Sequence, residues 1–374
     1  MTQQDSVRRF PTVGDGSGVT SGPQFYREEL ALSFRNRGMP TEGLRYDVTP
    51  TGMHYLLIHW DIPDVDMSAW KLNIGGLVGQ PTSLTLEDIK ALPSRTEIVT
   101  MECAGNGRAL FSPRLVSQPW LLEAIGTSEW TGTPLKGVLE AAGLQSEAVE
   151  ILFTGCDQGV QGEEVQFYQR SLTVEEATRD EVMLVYEMNG RPLEPQHGYP
   201  LRLIVPGWYG MTSVKWLGSI EAVGEPFNGF QMASYRYRQT ADDPGDPVDI
   251  IRVRALMVPP GIPDFLTRTR LLSAGPVTLT GRAWVARAGV SRVEISTDGG
   301  SSWFNAQLGP QPSQFAWHGW TADWDATTGR HTLMVRATDT NGNRQPVGPE
   351  WNIQGMGNNM AQTVDVIVEA GAVS

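Results

Sequence analysis

A change of pattern between Thr240 and Pro247 divides the chain into two parts of different kinds. The run TADDPGDP has the turn chemistry of a linker. Beyond it, short runs alternate apolar and polar residues between Gly, Asp and Asn, and Asp298-Gly299-Gly300 marks a hairpin turn. About seven strands at this spacing predict an all-β immunoglobulin-like sandwich over residues 248–374.

The first part of the chain mixes short apolar runs with Gly and Pro turns. Strands are predicted at 55–60, 97–102, 149–154 and 201–207. Short helices are predicted at 85–92 and 134–143. These elements predict an α+β domain over residues 25–240, whose irregular loops suit a binding site. Residues 1–24 are polar and Gly-rich, and a flexible arm is expected there.

Composition excludes several classes of function. The net charge of −13 and a pI near 4.9 leave no basic stripe for nucleic acid, although they suit a basic protein partner. Two cysteines, without a CxxC, support neither a disulfide framework nor covalent haem. No apolar run approaches the ~18 residues of a membrane span. The sequence as it stands predicts a cytoplasmic protein, or a periplasmic one if a leader has been removed.

The segment VTMECAGNGR (99–108) carries the most chemical information. A predicted strand ends at Cys103, and Ala-Gly-Asn-Gly then permits a tight backbone and close approach of a ligand. Arg108 follows, and a nearby cation favours a thiolate. On residue chemistry alone, an inert buried cysteine is also an open interpretation of Cys103. A lone thiolate can bind only a metal that is held mostly by something other than protein.

Four motifs, in order, resemble the sulfite oxidase and assimilatory nitrate reductase family over roughly residues 30–360. ECAGNGR resembles its cysteine motif, and SFRNRG (33–38) resembles its FVRNH segment. Residues 185–220 resemble its cofactor-binding signature almost without gaps. GRAWVARAGVSRVEISTDGGSSWFNAQL and VRATDTNGNRQP resemble its dimerisation domain. The chain is thus similar to the bacterial type without a haem domain, and the resemblance implies a molybdopterin-binding domain before the sandwich.

The resemblance implies a mononuclear molybdenum–molybdopterin cofactor, with Cys103 as the protein ligand of the metal and no haem. Implied cofactor contacts are Phe34, Asn36, Arg37, Asp157, His197, Arg202, Ser213, Val214 and Lys215. Implied catalytic and substrate-pocket residues are Tyr235, Arg35, Arg108 and Trp120. Arg and Lys suit a phosphate, and a carboxylate suits a ring N–H. Each residue alone has an ordinary structural explanation, so the prediction depends on their joint match.

The implied reaction oxidises sulfite, or a similar small sulfur oxyanion, by oxygen-atom transfer. Electrons would pass to a separate acceptor, a cytochrome c-type protein or oxygen. One departure concerns Gln354 in WNIQG, where the family's sulfite-specific enzymes often have Arg. Losing such a charge-assisted contact costs about 1.5–3 kcal/mol. A molybdoenzyme that acts on sulfane sulfur or reduces an S- or N-oxide therefore stays open, as does a non-catalytic module that binds partners.

The C-terminal sandwich also bears on assembly. It resembles the family's dimerisation domain, and closed two-fold dimers are the commonest assembly. A homodimer formed mainly by residues beyond about 250 is expected, with a monomer as the alternative. Cys156 matches no ligand position and is expected to be buried structure.

Overall fold

The computed structural model describes residues 19–20 and 25–371, and strands dominate it. The helices are α1 (Arg27–Arg35), α2 (Leu86–Lys90), α3 (Leu135–Ala141), α4 (Val174–Ala177) and α5 (Phe230–Ser234). Short 3₁₀ turns lie at Thr41–Arg45, Thr51–Met53, Arg108–Leu110, Pro195–His197 and Gly210–Thr212. In the part of the chain that the structure describes, no helix is long and apolar enough to cross a membrane. The predicted arm over 1–24 lies outside the described residues, apart from Val19–Thr20.

The strands run from β1 to β24 along the chain. In the first part they are β1 (Val19–Thr20), β2 (Leu72–Gly76), β3 (Thr82–Leu84), β4 (Arg95–Glu102), β5 (Arg114–Leu115), β6 (Ile125–Pro134), β7 (Glu150–Gln161), β8 (Glu164–Thr173), β9 (Met183–Met188), β10 (Arg191–Pro192), β11 (Arg202–Ile204), β12 (Leu217–Val223), β13 (Arg236–Tyr237) and β14 (Asp246–Pro247). In the second part they are β15 (Arg254–Met257), β16 (Ile262–Pro263), β17 (Arg270–Ser273), β18 (Gly275–Trp284), β19 (Val290–Ser296), β20 (Phe304–Asn305), β21 (Gln307–Leu308), β22 (His318–Ala326), β23 (Gly329–Asp339) and β24 (Gln362–Glu369).

Two five-stranded sheets build the first part. One has the order β10-β9-β6-β4, with β11 also paired to β9, and the other has the order β3-β2-β12-β7-β8. All these pairs are antiparallel except β12 with β2. The sheets share one apolar core, to which Leu184 and Leu203 contribute from the first sheet and Leu72 and Phe153 from the second. The sheets form the framework of this part of the chain, and the short helices are added to it.

Two further sheets build the second part as a sandwich. Their orders are β15-β18-β22-β21 and β16-β17-β24-β23-β19-β20. Strand β24 shows why they pack, because alternate residues are buried along it and Val364, Val366 and Val368 face the core. Trp320 and Leu279 meet them from the other sheet. The predicted fold class, a mixed domain followed by an immunoglobulin-like sandwich, is confirmed.

The predicted strand over 55–60 is wrong. Only Leu56 pairs there, in an isolated bridge with Arg37. Neighbouring backbone groups bond side chains instead, since Leu57 O accepts from Lys215 Nζ at 2.8 Å and Ile58 N donates to Asn36 Oδ1 at 2.7 Å. The other predicted strands correspond to β4, β7 and β11, and the predicted helices to α2 and α3.

A buried carboxylate joins the two parts of the chain. Glu102, the last residue of β4, lies 2.9 Å from Arg254 Nε, and both side chains are only 1% exposed. Glu102 Oε2 also accepts a hydrogen bond of 2.9 Å from the Trp284 indole. Around this pair, Ile125 from the first part and Leu256 from the second share an apolar cluster. The two parts therefore form one packed body.

Removing one partner of this ion pair is expected to destabilise the fold strongly. Arg254→Met should lower the free energy of unfolding by about 3–5 kcal/mol, because the Glu102 carboxylate is left buried and unpaired. Urea denaturation followed by tryptophan fluorescence measures this. Lys136→Met is the matched control, since its ion pair with Asp180 is exposed. An Arg254→Met denaturation midpoint equal to that of the control would contradict the assignment.

Candidate active site

The loop after β4 presents Cys103 to a buried pocket. The Cys103 amide donates to Ala124 O at 2.9 Å, and the Asn106 amide donates to Cys103 O at 2.9 Å. Gly107 has φ of +86°, and a Cβ there would come within 2.8 Å of Asn358 Nδ2. Glycine is therefore required at position 107, because the backbone has a positive φ there and because a side chain would have no room. The thiol sits on a loop that strands and the C-terminal segment hold from both sides.

A buried guanidinium lies beside the thiol. Burial raises the pKa of Cys103, and the charge of Arg108 opposes this rise. Arg108 Nε donates to Gln354 O at 3.1 Å and Nη1 donates to Gln118 O at 3.2 Å. A Cβ on Gly105 would come within 2.7 Å of Arg108 Nη1, so the guanidinium packs directly on the cysteine loop. This arrangement fixes a positive charge beside the thiol, just behind the residues that line the pocket.

Two neighbouring side chains keep polar atoms without partners. The Trp120 indole approaches Cys103 and opposes the rise of its pKa, but its N–H completes no hydrogen bond of regular geometry with the described residues. The Gln354 amide is 1% exposed, and neither its oxygen nor its nitrogen has a partner in the described chain. Since unpaired buried polar groups are costly, such atoms indicate a site that a polar ligand completes.

The structure brings eight of the fourteen predicted site residues to the pocket wall. They are Cys103, Asp157, His197, Arg202, Ser213, Val214, Lys215 and Tyr235. Burial raises the pKa of Tyr235 to about 12, so its hydroxyl stays protonated. Tyr237 packs against Arg252 instead and does not line this pocket. The residues from the 185–220 segment thus converge with the cysteine loop.

Six of the fourteen predicted residues do not line the pocket. Arg108 and Trp120 lie beside the cysteine loop, and the other four belong to the SFRNRG segment. Helix α1 extends to Arg35, and its last turn directs Phe34 to solvent, where its side chain is 91% exposed. Arg35 bonds the Trp60 carbonyl and pairs with Asp61 at 3.0 Å. The helix, which the sequence pattern did not predict, places the Arg35 side chain against Asp61 and outside the pocket wall in this conformation.

The next two residues of this segment affect the pocket indirectly. Asn36 is buried and bonds the Gln118 side chain at 3.0 Å and the Ile58 amide at 2.7 Å. Arg37 is exposed, and its charge helps to lower the pKa of His54 and His197. Neither side chain lines the pocket, so both act by holding or polarising the segment that does.

That segment is 54–59, and sequence reasoning missed it. Its members in the pocket wall are His54, Tyr55, Leu56, Leu57 and His59, and Tyr168 of β8 joins them. The available signal was histidine, because the chain has five and His54, His59 and His197 all lie here. An apolar run that contains two of five histidines is better interpreted as a binding segment than as a strand.

Two buried cations give the pocket its charge. Arg202 donates to His197 O at 2.9 Å and to Ser213 O at 3.2 Å. Lys215 Nζ donates to Leu57 O at 2.8 Å and to Gln196 O at 3.1 Å. Burial lowers the pKa of Lys215 to about 7 and that of Arg202 to about 10. A bound anion would offset this desolvation and keep both groups charged.

Two imidazoles stand beside these cations. The rings of His54 and His197 meet edge to face at 5.8 Å, and neither Nε2 has a partner among the described residues. Burial, aided by neighbouring positive charges, lowers the pKa of His54 to about 4 and that of His197 to about 2. Both rings are therefore neutral near pH 7 and can donate or accept one further hydrogen bond.

One carboxylate, that of Asp157, also lines the pocket. Burial raises the pKa of Asp157 to about 6, and the charge of Lys215 opposes this rise. The pocket thus offers cations for a phosphate, unpaired imidazole nitrogens, a carboxylate for ring N–H groups and a thiol for a metal. These donors fit a phosphorylated heterocycle that carries a thiophilic metal.

Comparisons with known proteins agree with this chemistry. The model of the oxidoreductase molybdopterin binding domain matches residues 59–231, and that of the Mo-co oxidoreductase dimerisation domain matches residues 251–369. Mitochondrial sulfite oxidase of Homo sapiens is 32% identical over 86% of this chain and 62% of its own length. Sulfite oxidase of Arabidopsis thaliana is 31% identical over 83% of this chain and 85% of its own length.

Other similar proteins have different activities. Nitrate reductase [NADH] 1 of Arabidopsis thaliana is 31% identical over 83% of this chain and 37% of its own length. The solved structure of the sulfane dehydrogenase SoxCD from Paracoccus pantotrophus is 27% identical, with a TM-score of 0.77 over 89% of this chain and 86% of that one. The chain spans about 62% of the length of the mammalian enzymes that it matches.

These matches and the pocket define a molybdopterin-dependent oxidoreductase fold. The chain belongs to the sulfite oxidase family. The cofactor of this family is molybdenum-molybdopterin, and the buried donors described above fit it.

Cofactor retention tests the role of the buried lysine. Lys215→Met should lower the molybdenum and pterin content per chain by about tenfold, because a charge-assisted contact worth about 1.5–3 kcal/mol is lost. Elemental analysis and pterin fluorescence measure the content, with circular dichroism as the check on folding. Lys136→Met, on the surface, serves as the control. Full cofactor content in the Lys215 variant would show that the phosphate is held elsewhere.

Proposed function

We propose that this chain oxidises sulfite to sulfate by molybdenum-dependent oxygen-atom transfer and passes the electrons to a separate acceptor. The observation that carries the proposal is the placement of the Cys103 thiol in the pocket wall with the Arg108 guanidinium fixed beside it. An anion that approaches the thiol therefore meets a positive charge. A non-catalytic module is disfavoured because the buried donors of the pocket are all present.

The bound cofactor would supply the two-electron redox chemistry and the transfer of the oxygen atom. Cys103 would bind the metal, while Arg202 and Lys215 would hold the cofactor's phosphate and Asp157 its ring. His197, neutral and with Nε2 free of a partner among the described residues, would complete the contacts. Ser213 and Val214 shape the wall beside them.

The substrate side of the site would consist of Arg108, Tyr235 and Trp120. Arg108 would orient the oxyanion and offset its charge. Tyr235, whose high pKa keeps the hydroxyl protonated, would donate a hydrogen bond to the anion. Trp120 is buried and would exclude water beside the thiol. Contacts of this kind are stronger in a water-poor pocket because the local dielectric is low.

A second class of substrate is also a candidate, because few cations are available to bind an anion. The main-chain carbonyl of Gln354 accepts a hydrogen bond from Arg108, the side-chain amide of Gln354 has no partner among the described residues, and Arg35 lies outside the pocket. One guanidinium with an unpaired amide suits a larger or less charged substrate, such as a sulfane sulfur or an S- or N-oxide. The structural similarity to a sulfane dehydrogenase supports this alternative.

Neutralising Arg108 should weaken the use of sulfite. Arg108→Gln is expected to raise KM for sulfite by at least ~10-fold, since the charged contact is worth upwards of 1.5 kcal/mol. Arg35→Gln, which alters an arginine outside the pocket, should leave KM unchanged. Steady-state assays with ferricyanide as acceptor measure both. An unchanged KM in Arg108→Gln would refute its role, and turnover of a sulfane sulfur compound but not of sulfite would favour the alternative.

Assembly is the second part of the proposal. The match of residues 251–369 to a dimerisation domain supports a homodimer formed mainly by residues beyond about 250. Each protomer contains its own complete pocket, so we expect two independent sites. Light scattering at micromolar protein should give twice the mass of the chain. A mass near 41 kDa, that of one chain, would contradict the dimer and leave the catalytic proposal untouched.

A further inference from the structure

The wall of the pocket is one strand thick along β7. Asp157 faces the pocket, whereas the preceding residues Gly155 and Cys156 line a groove on the opposite side of the same sheet. A Cβ on Gly155 would come within 2.5 Å of Asp157 Oδ1 and 2.8 Å of Lys215 O. The missing side chain therefore brings the floor of the groove into contact with residues of the cofactor pocket.

The groove has a volume of about 500 Å³ and is mostly apolar. Trp70 and Phe167 line it together with Gly155 and Gly218. Cys156, which the sequence predicts as buried, is half-buried here and is one of its lining residues. The groove is open to solvent.

An apolar strip extends from the groove along the hairpin of β7 and β8. Val160 pairs with Val165 and Gln158 pairs with Phe167, so these side chains share one face of the hairpin. Val165 is 71% exposed, Val160 68% and Phe167 50%. Three adjacent large apolar side chains at this exposure mark an interaction surface rather than ordinary scatter.

We infer that the groove and the strip of Val160, Val165 and Phe167, together called the back face, form the docking site of a basic one-electron redox protein. This inference rests on the proposed function, because that reaction releases electrons. Sulfite and water give sulfate, two protons and two electrons, and two ferric haems take one electron each in successive encounters. Electron tunnelling weakens steeply with distance, so a thin wall behind the cofactor pocket is a suitable exit. Docking there also leaves the substrate side free.

Charge selects this partner over others. The chain carries a net charge of −13. At the back face, Glu163 and Glu164 form the tip of the hairpin beside the strip, against one lining cation of the groove, Lys71. Such a field steers a basic protein to the surface, while a small apolar contact suits the weak and brief encounters of electron carriers. A second copy of this acidic chain would be repelled here, and the match to a dimerisation domain lies in the other part of the chain.

The test measures binding as well as turnover. Ferric mitochondrial-type cytochrome c, a basic haem protein, serves as the probe for the cofactor-loaded full chain in surface plasmon resonance at low salt. Val160→Lys combined with Val165→Lys should weaken binding at least tenfold, since it removes apolar contact and repels a basic partner. Val149→Lys combined with Val347→Lys makes the same change of charge at exposed sites away from the strip, and should weaken binding less than threefold.

Two further readouts separate the possible outcomes. Saturating cytochrome c should slow alkylation of Cys156 by iodoacetamide, because the thiol lies in the groove. If the Lys pair lowers the unfolding midpoint, Val160→Thr with Val165→Thr keeps the β-branched shape and should still weaken binding. Equal affinities in the back-face and control variants, or no binding by the parent, would overturn the docking site. Failure of sulfite oxidation with ferricyanide would instead overturn the proposed function and leave the binding result standing.

Discussion

The buried carboxylate of Glu102 is the constraint on which the rest of the site depends. A carboxylate in an apolar interior must be paired, and this one forms an ion pair with Arg254 Nε at 2.9 Å and accepts hydrogen bonds of 2.9 and 3.0 Å from Trp284 and Asn106. Asn106 belongs to the cysteine loop, whereas Arg254 and Trp284 belong to the C-terminal part. The residue next to Glu102 is Cys103. Contacts from both parts of the chain therefore fix the position of the thiol. The sandwich supports the site in this way, although it supplies no reactive group.

The pocket differs from this ion pair, because several of its buried polar groups lack a partner of opposite charge or a hydrogen-bond partner within the chain. Burial lowers the pKa of Lys215 to about 7 and raises that of Asp157 to about 6. His54 and His197 keep unpartnered ring nitrogens. Such an arrangement costs folding free energy, and a ligand that supplies phosphate oxygens and ring N–H groups recovers that cost. The cofactor is thus part of the stable structure as well as of the chemistry.

The parts of the site that sequence could predict are those carried by local and ordered motifs. Strand β4 ending at Cys103, and the segment that supplies His197 and Lys215, follow from patterns that are continuous in the chain. The apolar pattern of segment 54–59 predicts a strand, because the bonds that Asn36 and Lys215 make to its backbone come from distant positions. Its two histidines are the local signal that this is a binding segment. The position of Arg35 could not be predicted for a related reason, since the sequence pattern does not indicate the helix that turns this residue toward Asp61.

The central claim is that Cys103 binds the molybdenum, and X-ray absorption at the molybdenum edge tests it most directly. The measurement would compare the parent protein with Cys103→Ser at matched pterin content, so that loss of the cofactor is not mistaken for loss of a ligand. We expect one sulfur neighbour fewer around the metal in Cys103→Ser, together with loss of sulfite turnover and an unchanged fold. An identical sulfur coordination in the two proteins would contradict it.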